Sequence, residues 1–217
     1  MKSRTSHRLR ERARGLALAL VAMAGLGALA HALWIPAKAE LAQHLMDRAW
    51  ARAQRGGPSL RAPPRPWPWA DTWPVARLLS PTHDVDLYVL AGASGSSLAF
   101  GPGHVDGTAL PGESGNAAVG GHRDTSFAFL EAVQLGEILE VETPRGERVR
   151  YQVVETAIVD ESDTRALQGS PGRALTLITC WPFHALHPGG SDRYVVRALE
   201  LPATATAPAR SSDRGTT

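Results

Sequence analysis

Residues 75–202 predict an all-β domain, a barrel or a sandwich of about 125 residues, behind an apolar N-terminal segment. Three observations lead there. Seven short apolar-rich segments are split by turns built on glycine and proline. A single short helical pattern interrupts them. No internal repeat is present, so solenoids and propellers do not apply.

The elements follow in order. Residues 1–15 form a basic leader, in which Lys2, Arg4, Arg8, Arg10, Arg12 and Arg14 face only Glu11. Leu16 to Ile35 is a run of twenty residues with one histidine and no formal charge. As a helix rising about 1.5 Å per residue it reaches roughly 30 Å, the thickness of a bilayer's hydrocarbon core. The basic cluster before it keeps that end cytoplasmic, so a transmembrane anchor over 16–35 would export everything after Trp34. The alternative is a cleaved signal peptide, because Ala28-Leu29-Ala30 and Ala37-Lys38-Ala39 both fit a processing site. Either way the C-terminal part lies outside the cytoplasm, on the periplasmic or extracytoplasmic side of a cell inner membrane.

Residues 36–74 read as a juxtamembrane helix and a stalk. Leu41, Leu45, Ala49 and Ala53 recur every four residues within 37–55, and Gly56-Gly57-Pro58 ends the pattern. Six prolines between 58 and 74 predict a stiff extended spacer. Trp67, Trp69 and Trp73 stand in that spacer, the later ones placed to dock it on the domain. If it is only a stalk, residues 70–202 should fold alone.

Strands are expected over Val75–Leu79, Asp86–Leu90, Ala117–Gly120, Ile138–Thr143, Arg148–Val159, Leu175–Cys180 and Tyr194–Leu201. Turns are expected at Gly92–Gly95, Gly101–Gly107, Pro111–Gly115, Pro144–Gly146 and Gly169–Gly172, with one helix over Ser126–Val133. The polar tail 203–217 is expected to be disordered.

Charge and cysteine content exclude whole classes. The chain carries a net +2, but residues 1–14 hold +5 and residues 76–202 hold nine bases against sixteen acids. An acidic domain repels phosphate backbones, so no nucleic-acid partner is expected. One cysteine, Cys180, leaves no intramolecular disulfide, no CxxC redox pair and no multi-cysteine zinc site. No P-loop, no dinucleotide fingerprint and no Gly-x-Ser-x-Gly elbow is present, and no cofactor is implied.

Three residues carry possible chemistry. Cys180 ends the apolar run from Ala174 to Thr179, and Pro182 stops the strand. A thiol there is either a nucleophile on a rigid support or buried structural filler. His122 follows Gly120-Gly121, also at a strand's end, where an imidazole can exchange protons with a thiol or simply bond its own loop. Arg193 and Arg197 open the last strand four residues apart, hence on one face. An arginine near a thiolate supplies charge for an oxyanion, whereas two surface arginines do nothing. Cys180, His184 and His187 have zinc-ligand types, but Pro182, Pro188 and Gly189-Gly190 make a loop without a fourth ligand, and no metal is predicted.

Thr176-Leu177-Ile178-Thr179-Cys180 resembles the TLxTC signature of sortases. A histidine upstream in a Gly-His segment and an arginine thirteen residues after the cysteine agree with that family's order. The stretch Gly101-Pro102-Gly103-His104, then Leu110-Pro111-Gly112-Glu113, Gly115-Asn116 and Gly121-His122-Arg123, resembles the proteobacterial type, as does Cys180-Trp181-Pro182-Phe183. The resemblance covers 75–201. It implies an eight-stranded sortase β-barrel and a transpeptidase that attacks an LPxTG-like sorting signal. It assigns Cys180 as nucleophile, His122 as acid and base, and Arg193 as oxyanion or substrate-orienting group. Arg197 and His104 are the fallbacks for the last two roles. The implied partners are a protein bearing a C-terminal sorting signal, an amine acceptor and the membrane. The loop between Val159 and Ala174 is short, so it does not specify the sorting motif. The rivals are an exported cysteine peptidase, with water as acceptor, and a non-catalytic periplasmic interaction module.

Overall fold

Burial alternates residue by residue along the first strand, Pro74–Ser80, with Ala76 and Leu78 sealed inside. That period of two is what a half-buried pleat requires. A computed structural model of the chain describes residue 23, residues 25–28, residue 31, and residues 40–56, 63–185 and 190–202. It shows eight strands: β1 Pro74–Ser80, β2 Val85–Ala91, β3 Gly103–His104, β4 Gly115–Gly120, β5 Ile138–Glu142, β6 Arg148–Asp160, β7 Arg173–Cys180 and β8 Asp192–Glu200. They close into a barrel in the order β1-β2-β3-β4-β7-β8-β6-β5. Closure removes the exposed edges that an open sheet would leave. The pairs β2–β3 and β4–β7 are parallel and the rest antiparallel.

The barrel interior is filled by Leu78, Val89, Val119, Leu139, Val141, Leu175, Leu177 and Val196, none more than 1% exposed. Phe127 and Leu130, from a 3₁₀ turn around Ala128–Glu131, are also fully buried in that core. The helix expected over Ser126–Val133 is therefore a shorter and tighter turn. β3 falls inside the predicted turn Gly101–Gly107. Its glycine meets Gly92 closely: a Cβ on Gly103 would lie 2.2 Å from the Gly92 carbonyl oxygen. Pairing there depends on the missing side chain, which is why the segment has a turn composition rather than a strand composition.

The chain divides into two compact units, Met1–Arg48 and Ala49–Thr217. In the first, residue 23, residues 25–28, residue 31 and residues 40–48 are helical. The remainder of the anchor segment 16–35, and the leader and tail, lie outside the described residues. Among the described residues no helix is long and apolar enough to cross a membrane.

In the second unit the proposed stalk is part of the domain. Residues 49–56 are helical, with Ala49, Trp50 and Ala53 buried. The Trp50 ring lies 5.9 Å from that of Tyr88 on β2, and Gln54 donates from Nε2 to Glu142 Oε1 at 2.9 Å. Trp67 packs edge-on against Phe100 at 5.1 Å. Thr72 Oγ1 donates to the Ala91 carbonyl at 2.8 Å, and Ala91 N–H donates to the Trp73 carbonyl at 2.9 Å. Trp69 stays 82% exposed and docks nothing. Of the tryptophans expected to dock the spacer, Trp67 does so through its ring and Trp73 through its backbone carbonyl, whereas Trp69 does not. Burying one large apolar side chain contributes about 1.5–3 kcal/mol. A fragment over 70–202 lacks Trp50 and Trp67, so it should melt about 5–10 °C below one over 40–202 in calorimetry. Equal melting temperatures would return these residues to the role of a stalk.

Candidate active site

Three neighbouring strands bring the sequence-predicted residues to one end of the barrel. β4 and β7 run parallel and in register from Gly115↔Arg173 to Gly120↔Ile178. The contact continues past the end of β4. Gly121 N–H donates to the Ile178 carbonyl at 3.1 Å, and Thr179 Oγ1 donates to the Gly121 carbonyl at 2.7 Å. His122 therefore leaves β4 two residues beyond Gly120, and Cys180 stands two residues beyond Ile178, at the same end. On the other side of β7, Cys180 pairs directly with Arg193 of β8. Directly opposed residues in an antiparallel pair project from the same face. The row across β4, β7 and β8 is His122, Cys180, Arg193. The histidine is exposed, and the cysteine and arginine are half-buried.

The local sequence explains this placement. A Cβ on Gly121 would lie 2.7 Å from the Phe127 ring, so the second glycine makes room for a core aromatic under the histidine loop. Phe127 N–H closes that loop on the His122 carbonyl at 2.9 Å. β7 is buried along most of its length, from Ala174 to Leu177 and again at Thr179. The β6–β7 loop, with its 3₁₀ turn Thr164–Leu167, lies against β4. Asn116 on β4 is buried and fixes it: Nδ2 donates to the carbonyls of Ala166 and Gln168 at 2.9 and 3.0 Å. Its Oδ1 accepts from Thr176 Oγ1 at 2.7 Å. Within that loop the Arg165 guanidinium and N–H hold the Asp163 carboxyl down at about 2, and Ser162 lowers Asp160. Beyond Cys180 the rings of Trp181 and Tyr194 stack at 5.7 Å, with Phe183 edge-on to both.

Arg193 is held on three acceptors. Nη1 donates to the Gly190 and Asp192 carbonyls at 2.7 and 3.0 Å, and Nη2 donates to Glu161 Oε2 at 2.5 Å. Arg197 instead pairs with Thr176, four residues down the strand from the cysteine row. His104 sits on β3, separated from β7 by β4, and is 6% exposed. Its Nε2 is engaged by Ala109 O at 2.9 Å and Thr108 Oγ1 at 3.1 Å, so it organises its own loop rather than facing the thiol. His184 Nε2 lies 2.9 Å from Glu131 Oε1, and His187 is outside the described residues. Among the described residues no cluster of three histidine, cysteine, aspartate or glutamate side chains could hold a metal. Glu161 and the anchoring work of Asn116 escaped the sequence reading. Nothing in Asp160-Glu161-Ser162-Asp163 distinguishes Glu161 from a solvated acid, whereas Asn116 follows a glycine in a stretch already singled out.

Comparison with known proteins bears on the family and the fold. The sortase domain family matches residues 79–201. Sortase D of Bacillus subtilis (strain 168) is 33% identical over 117 residues, covering 54% of this chain and 58% of that protein. The match thus spans less than two thirds of the relative's length. Sortase A from Corynebacterium diphtheriae superposes with a TM-score of 0.56 at 31% identity, covering 64% of this chain and 66% of that one. Sortase C-1 from Actinomyces oris gives a TM-score of 0.53 at 32% identity, covering 60% and 74%. These relatives are sortases of Gram-positive organisms, so the matches do not support the expected proteobacterial type.

Proposed function

The chain belongs to the sortase family, and from that premise we propose that it is a membrane-anchored cysteine transpeptidase acting outside the cytoplasm. The observation that carries the reading is the cross-strand pair Cys180–Arg193 beside the exit of β4 that bears His122. Cys180 Sγ attacks the threonyl carbonyl of an LPxTG-like sorting signal in a protein substrate. A carbon–sulfur bond forms and the Thr–Gly carbon–nitrogen bond breaks. His122 takes the thiol proton and delivers it to the departing amine. An incoming amine then attacks the thioester, loses a proton to His122 and releases Cys180. Arg193 bears on the carbonyl oxygen as negative charge develops there. The anchor over 16–35 and its basic leader retain the enzyme at the membrane.

Two measurements test the reading. A fluorogenic peptide carrying the motif is incubated with and without an added amine, and products and protein are weighed by mass spectrometry. The expected result is a peptide–amine ligation product and a transient acyl adduct on Cys180. Hydrolysis alone at saturating amine would favour the cysteine peptidase, and absence of any adduct would favour a binding module. A reporter fused after Thr217 should be active only outside the cytoplasm. Cytoplasmic activity sinks the anchoring.

A further inference from the structure

The strand β6 ends at Asp160, but its ladder with β8 runs one step further. Glu161 N–H donates to the Ser191 carbonyl at 2.6 Å, just beyond the pair Asp160↔Asp192. This backbone contact fixes the glutamate beside the start of β8. Its Oε2 then receives Arg193 Nη2 at 2.5 Å. Arginine carries five N–H donors in one rigid plane. Three are engaged here, two by the backbone carbonyls of Gly190 and Asp192 and one by Glu161. Three acceptors at different positions define the plane of the guanidinium, and among the described residues two donors are left for another acceptor. Glu161 is the only side chain among the three.

The pair is not a stabilising salt bridge of any weight. Its side chains are 27% and 55% exposed, and water screens such contacts to a small net energy. Its value lies in direction. Arg193 faces Cys180 across one rung of the β7–β8 ladder, so the orientation of the guanidinium decides whether its remaining donors meet an oxygen bonded to the carbon under attack. We infer that Glu161 is a positioning residue that orients Arg193 for the acyl-transfer step. The inference rests on the role given to Arg193 above. At the same end Asp192 meets this guanidinium through its carbonyl, and the Asp160 carboxylate, lowered mainly by Ser162, also feels its charge.

The experiment uses the full chain and two readouts. In nitrogen-15 NMR of arginine side chains, the Arg193 signals are identified by their loss in Arg193→Lys. They should show slow rotation in the unmodified protein and in Glu161→Gln, which keeps an acceptor oxygen, and fast rotation in Glu161→Ala. In the peptide assay Glu161→Ala should lower kcat about 10-fold with KM within about 3-fold, as small misplacements of a reacting group do. Glu161→Gln should recover most of the rate. In an Arg193→Ala background, Glu161→Ala should change kcat no further, since the two act as one unit. Equal rotation of Arg193 in the unmodified protein and Glu161→Ala overturns the inference, as does an equal loss of kcat in the two backgrounds. A full rate in Arg193→Ala overturns the arginine's role together with this inference. Impaired Arg193→Ala with an indifferent Glu161→Ala overturns the inference alone.

Discussion

Cys180→Ala should leave neither peptide cleavage nor an acyl adduct, a loss on the order of 10⁴-fold or more. The chain has one cysteine, so no second thiol can take over. The same fact makes the control unambiguous: one equivalent of an alkylating reagent reacts with the unmodified protein and none with the variant. The fold should survive. Cys180 is only half-buried and ends β7, and alanine keeps the strand's backbone bonds. Circular dichroism and a melting curve close to those of the unmodified protein would separate lost chemistry from lost structure. Continued cleavage by Cys180→Ala would end the thiol mechanism.

His122→Ala should slow peptide cleavage by about 10²–10⁴-fold, the usual contribution of a placed acid or base. The amine leaving a peptide bond departs poorly without a proton, and the exit of β4 that leads to His122 lies beside the end of β7 that carries Cys180. The His122 side chain is exposed, so its removal should move the melting temperature little. Added imidazole should restore part of the rate, because a small base can occupy the space and exchange the proton. His104→Ala makes the contrast. That ring is buried on Ala109 and Thr108, and its loss should be read in stability. A His122→Ala enzyme at full rate would return the proton-transfer role to another group.

The strands were largely legible because alternation is a local property. β1, β2, β5, β7 and β8 match their predicted segments to within a residue or two at each end. β3 was not, since two residues in a glycine-rich stretch carry no period, and their pairing exists only because β2 and β4 flank them. The short helix shrank for a related reason: Phe127 and Leu130 reach the core from a 3₁₀ turn, and packing overrides helix propensity.

By itself the sequence determined a closed set of chemical options: one thiol, a histidine after paired glycines, an arginine at the head of the last strand, and an acidic domain behind a basic, apolar leader. Those are statements about residue type, order and local period. Tertiary structure alone decided which residues stand together. Strand register set Arg193 opposite Cys180 and Arg197 opposite Thr176, although both arginines lie on one face. The ladder between β6 and β8 brought Glu161 to Arg193 across thirty-two positions. The Trp67–Phe100 ring contact and the hydrogen bonds at Thr72 and Trp73 tied the proline-rich segment to the domain. Each of these depends on contacts between distant segments, whose geometry is set only when the barrel closes and every strand has two neighbours.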